Sequence, residues 1–167
     1  MQFFTKLYLL RLLFWVRKMV DYVEATNEIC KRFDEYWQTN AAGIVGYVPE
    51  VRFPRIVYPT PINPAVHWAR MSIQSVMAQQ SAFCGYGNGA KKYEESGLVF
   101  VQLFGPRNEI EAAEQQDKFA KIARAAFRGI SLPGKVWFRN ARINNVGDED
   151  QMIRLNVIAD YYYNEIA

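Results

Sequence analysis

From Ile153 to Tyr163 every second side chain is apolar: Ile153, Leu155, Val157, Ala159, Tyr161 and Tyr163 alternate with Arg154, Asn156, Asp160 and Tyr162. A period of two marks a half-buried antiparallel strand, and it constrains what comes before. Residues 136–146 supply the other arm of a long hairpin, with turn residues at 147–150. Ahead of the hairpin lie an amphipathic helix and a strand over 97–104, where Leu98 to Leu103 are apolar on both faces apart from Gln102. Such a strand belongs at the centre of a sheet. The order strand, helix, hairpin predicts an α/β (α+β) fold, mostly antiparallel sheet with two main helices packed on it. Its polar residues sit at strand edges and turns and form no short convergent motif, so the chain reads as a building block and not as an enzyme.

The 167 residues fit one domain, and a folded unit of that size buries about 70% of its unfolded surface. Cys30 and Cys84 stand apart with no CxxC partner, which fits structural thiols in a reducing compartment better than a disulfide framework. The net charge of +3 is uneven: Lys6, Arg11, Arg17 and Lys18 lie in the first eighteen residues, which hold no acid. The remaining 149 residues carry 16 basic and 17 acidic side chains. A nearly neutral body offers no basic stripe for phosphates.

Residues 1–18 form a hydrophobic, basic extension. Arg11 splits it into apolar runs too short for a bilayer, which takes about 20 residues, and no small-residue cleavage site follows. An interfacial helix, a partner-docking helix and residues upstream of a start at Met19 are all compatible with it. The last is preferred, because Asp21 and Glu24 have the spacing that opens a helix just past Met19. The domain then spans 19–167.

That helix, over 21–37, places Tyr22, Thr26, Ile29, Cys30, Phe33 and Trp37 on one face. Five of the seven prolines fall in 41–64 (Pro49, Pro54, Pro59, Pro61 and Pro64), which predicts an ordered surface loop with edge-strand pieces and no helix. A loop of that length is often functional or interface-forming. A strand follows over 65–82, then a glycine-rich, charged excursion over 81–96, with Gly97 restarting the sheet. After Phe104, the residues Gly105, Pro106 and Asn108 make a turn, with Asn108 and Glu111 in capping-box spacing. The second helix carries Phe119, Ile122, Ala123, Ala126 and Phe127, with Gly129 as its stop and Pro133 beyond.

Several fragments resemble chemical motifs and are outweighed. Gly85, Gly87 and Ala90 fit GxGxxA, but no long amphipathic helix follows, so a mobile glycine loop is the better reading. Gly97, Phe100 and Val101 echo an RNA-recognition strand, but Leu98 and Leu103 stand where aromatics are expected. Trp137, Arg139 and Arg142 interleave ring and charge. Strict alternation along a strand sends Arg139 and Arg142 to opposite faces, so a subunit contact is favoured over nucleic acid. His67, the one histidine, has no metal-ligand or triad spacing around it. Asp148, Glu149 and Asp150 are too few oxygens for a calcium loop. The expectation is therefore no catalytic residue, no metal and no cofactor.

Three segments carry a family likeness: GLVFVQLFGP over 97–106, VWFRNARINNVG over 136–147 and NVIADYYY over 156–163. With the helix between the first two, the chain from about 20 to 165 resembles the tail terminator (tail completion) proteins of tailed bacteriophages. The resemblance implies a structural virion protein: a homohexameric ring on the tail tube protein that ends tube polymerisation and offers a joining surface to the head-side connector or stopper protein. It also implies assembly in the host bacterial cytoplasm, a place at the head-proximal end of the tail, DNA passing through without specific binding, and no membrane. Subunit or tube contacts are expected at Tyr86, Lys91, Lys92 and Tyr93 in the glycine loop and at Arg139, Arg142, Asp148 and Glu149 in the last hairpin. Another head-tail connector or tail tube protein, and an RNA-binding α/β module, are the alternatives.

Overall fold

The computed structural model describes residues 20–83, 91–107, 110–149 and 152–166. The N-terminal extension, Cys84, the GxGxxA glycines, Tyr86, Asn108 and Asp150 lie outside the described residues. The fold is mixed α+β: a five-stranded sheet and two main helices. In chain order the elements are helix α1 (Tyr22–Asn40), one helical turn α2 (Ala42–Val45), β1 (Glu50–Arg52), β2 (Trp68–Phe83), β3 (Lys91–Pro106), helix α3 (Ile110–Ala125), β4 (Trp137–Glu149) and β5 (Met152–Ile166). The sheet order is β1-β2-β3-β5-β4; only β1 and β2 pair in parallel.

Asp21 caps α1 as its spacing with Glu24 requires, its Oδ1 accepting the Glu24 N–H at 2.8 Å. The buried seam is Ala25, Ile29, Phe33 and Trp37, a strict fourth-residue repeat. Tyr22, Thr26 and Cys30, expected on that face, lie half-buried at its flank. Prolines exclude helix only from Pro49 onward, so the expectation of no helix in 41–64 fails for α2, which Gly46 ends in the left-handed region (φ 77°). The buried indole N–H of Trp37 donates to the Pro49 carbonyl at 2.9 Å and ties the proline segment to α1. The one edge-strand piece found there is β1.

The excursion expected over 81–96 is mostly strand. Residues 91–96 pair with β2 on one side and 92–96 with β5 on the other, because main-chain ladders are indifferent to the charge of Lys91, Lys92, Glu94 and Glu95. Gly97 consequently sits in mid-strand, where a Cβ would overlap the Gln74 carbonyl oxygen and come within 2.6 Å of the Tyr161 hydroxyl. Likewise Gly105 and Pro106 still belong to β3 and not to a turn. At the last hairpin, Gly147, Asp148 and Glu149 remain in β4. Gly147 (φ 86°) makes a register shift against β5 there, the role glycine takes in a bulge.

The core lies between one sheet face and the two helices. Phe33 touches Trp37 and Phe127 at ring separations of 5.5 and 5.8 Å, Trp37 touches Phe119 at 5.4 Å, and Phe127 reaches Phe138 of β4 at 4.9 Å. Val99, Val101 and Leu103 of β3 and Leu155, Val157, Ala159, Tyr161 and Tyr163 of β5 complete it. Burying Phe119 and Phe127 contributes roughly 1.5 to 3 kcal/mol each. Phe119 is wedged between Trp37 and His67, so Phe119→Ala should cost about 3–5 kcal/mol in urea unfolding; a loss under about 1 kcal/mol would contradict this packing.

Candidate functional site

With α1 and α3 on one side, the other sheet face is free of helices among the described residues. Its side chains follow from the register: Trp68 and Arg70 of β2, Leu98, Phe100, Gln102 and Phe104 of β3, Arg154, Ile158, Asp160 and Tyr162 of β5, and Trp137 of β4. Trp68 and Phe104 stack at 4.0 Å, 4° from parallel, and with Met152 they form a buried cluster separate from the main core. Three guanidinium groups lean on that pair: Arg52 over Trp68, Arg70 and Arg154 over Phe104, at 5.7–5.9 Å. Cation–π contact of this kind lets a charge lie on an aromatic surface while its edge stays wet.

Arg139 and Arg142 share this face, contrary to strict alternation. A register shift between them, with Asn140 at φ 50°, inserts an extra residue, so that Arg139 opposes Asp160 and Arg142 opposes Ile158. Arg139 covers the Tyr162 ring at 4.7 Å, which itself stacks on Trp137 at 5.2 Å. The Asp160 carboxylate takes the Arg142 guanidinium on one oxygen at 3.0 Å and the Asn140 amide on the other at 2.7 Å. Both oxygens are engaged, so Asp160 holds the bulge and is not poised as a base. Beside it lies an open depression of about 440 Å³ lined by Val76, Glu94, Leu98, Arg139, Asp160 and Tyr162. The neutral body inferred from composition therefore hides a local arrangement in which Arg52, Arg70, Arg139, Arg142 and Arg154 gather on one face.

The expected contact residues do not form one cluster. Lys91, Lys92 and Tyr93 start β3, where Lys92 pairs with Ile166 at the end of β5. The backbone of Asp148 and Glu149 pairs with Ile153 and Met152 at the other end of β5, roughly 45 Å away at about 3.3 Å per residue. Arg139 and Arg142 lie between, and Tyr86 is outside the described residues. Trp68, Phe104 and the arginines around them share no sequence motif; only the pairing of β2 with β3 brings Trp68 to Phe104.

His67 and Cys30 are packed within the fold. His67 is buried, its Nδ1 lying 2.9 Å from Gln116 Oε1 and its Nε2 3.0 Å from Gln115 Oε1, as a packed imidazole. Cys30 is free, and burial pushes its thiol up to about 11, away from thiolate reactivity. Among the described residues no group of three or more His, Cys, Asp or Glu is placed to hold a metal, and no helix is long and apolar enough to cross a membrane.

No protein-family model matches the chain, and no curated protein does. A solved chain known only by a serial designation is 13% identical, with 82% of this chain and 94% of that one aligned at a TM-score of 0.51. That likeness is one of fold. A chain from the virion of a native gene transfer agent particle aligns over 84% of this chain and 94% of its own at 13% identity, with a TM-score of 0.47, too distant to add to it.

On the helix side, one end of the sheet concentrates acidic groups. Burial pushes the Tyr161 hydroxyl up to about 12, with Tyr22 and Glu95 adding to it. Tyr163, opposite Glu95 in the register, is raised further by burial and then by Glu95 and Glu165, and Glu95 itself is raised by burial and then by Glu165. A hydroxyl raised on folding stabilises the fold fully below its unfolded value near 10 and loses that contribution as pH rises through its folded value. Phenolate absorbance against pH should show late titration of these tyrosines, coupled to loss of circular dichroism above about pH 12; full titration near pH 10 with the fold intact would contradict it.

Proposed function

We propose that this chain is a structural virion subunit of the tail-terminator kind, whose copies close into a ring that caps a tail tube, ends its growth and offers a joining surface to the head-side connector. The observation that carries this reading is the one-sided sheet: helices bury one face, and β2 beyond Arg70 and β4 beyond Phe138 keep one side unpaired among the described residues. Repeated head-to-tail contacts through two different surfaces generate a closed ring when the rotation closes. Capping then needs asymmetry alone, one ring face matching the tube and the other lacking the patch that adds more tube. No reaction is performed on this reading. The likeness of pattern and element order over about 20–165 supports this reading.

Arginines on the uncovered face favour a second reading, a nucleic-acid-binding sheet, since ring and guanidinium surfaces suit single strands. In the ring, such a face would meet passing DNA through phosphate contacts that carry no sequence preference.

Light scattering separates the two: a ring near six subunits supports the first, and a monomer that shifts on RNA gels in a salt-sensitive way supports the second. Lys91→Glu with Lys92→Glu should weaken ring or tube assembly on the order of tenfold. Unchanged assembly by scattering and by electron microscopy of tails would remove that contact from the account.

A further inference from the structure

Resting on the ring reading above, we infer that subunits join edge to edge, β2 of one copy pairing antiparallel with β4 of the next to carry one sheet across the junction.

The β2 edge is the first support. Only the first three of its sixteen residues are covered by β1. The rest, Met71 to Phe83, contains no Asp, Glu, Lys, Arg or Pro. Residues 74–81 are all exposed, with Val76 at 63% and Met77 at 47%. A long edge free of charge and proline is a template for another strand, and solitary proteins guard such edges with lysines, prolines or a covering element. Register shifts after Ser75 and Gln80 twist the strand locally without adding a charge, and they are the edge-blunting device that Met71 to Phe83 carries in place of lysine or proline.

The second edge is of matching length. β4 has thirteen residues; its outer side is covered at the start, where Ser131 bridges to Trp137 and the Phe138 N–H donates to the Ile130 carbonyl at 3.2 Å, and from Arg139 onward its one partner strand among the described residues is β5. Its arginines do not stand guard at the edge, because Arg139 lies on Tyr162 and Arg142 on Asp160, both over their own sheet.

Strand direction makes the two edges compatible. β3 runs against β2, β5 against β3 and β4 against β5, so β4 and β2 run in opposite directions. A neighbour rotated about an axis along the strands therefore presents β4 antiparallel to β2, with the helix layers on the same side. A second copy is the occupant that satisfies both edges at once.

Disulfide trapping tests this in the full chain with Cys84→Ser as background. Gln74 and Asn144 both face away from the helices by register. Single variants Gln74→Cys or Ser72→Cys, mixed with Asn144→Cys, should give a covalent dimer after mild oxidation, and each single variant alone should give none. Ser75→Cys, on the opposite face, should trap at least tenfold less. Oligomers by light scattering with no trapped dimer, or a dimer from Gln74→Cys alone, would overturn the β2–β4 pairing and leave the ring reading standing. A chain that stays monomeric at every concentration, with no trapping, would remove both.

Discussion

One-sided burial governs this structure. Phe33, Trp37, Phe119 and Phe127 join α1 and α3 through ring contacts, and Phe138 with the apolar side chains of β3 and β5 extends that core into one sheet face. Remove that aromatic contact and neither helix has a reason to lie on the sheet, because each is amphipathic and short of stability alone. What the helices do not cover is thereby defined. Long edges and a face of arginines laid on rings remain available to partners, and these are the surfaces an assembling subunit needs.

Local backbone irregularity then decides which side chains reach the uncovered face. The extra residue at Asn140 turns Arg142 onto the same face as Arg139, where Asp160 fixes it. Without the bulge, the two arginines would straddle the strand and one would point into the core. Bulges re-aim side chains in this manner, and a positive φ at a non-glycine residue is best tolerated by residues such as Asn.

Periodicity made the architecture legible. Alternation over 153–163, the apolar run at 98–103 and the cap at Asp21 each identify an element that the fold contains. Charged or glycine-bearing strand was less visible, because residues 91–96 and 147–149 owe their strand state to partners on neighbouring strands and not to their own side chains. Pairing is a tertiary constraint that overrides local preference. The same limit hid the Trp68–Phe104 stack, made of residues 36 positions apart in the chain, and it hid the shared face of Arg139 and Arg142, since a bulge leaves no mark in the pattern of residue types.

In the proposed ring, copies meet at the free strand edges. Amide hydrogen exchange of the full chain, compared between dilute protein and its assembled form, reads that directly. Slowed exchange across residues 71–83 and 137–149 on assembly, with the helices unchanged, is the predicted result. Assembly that leaves both edges exchanging as fast as in the free subunit would contradict it.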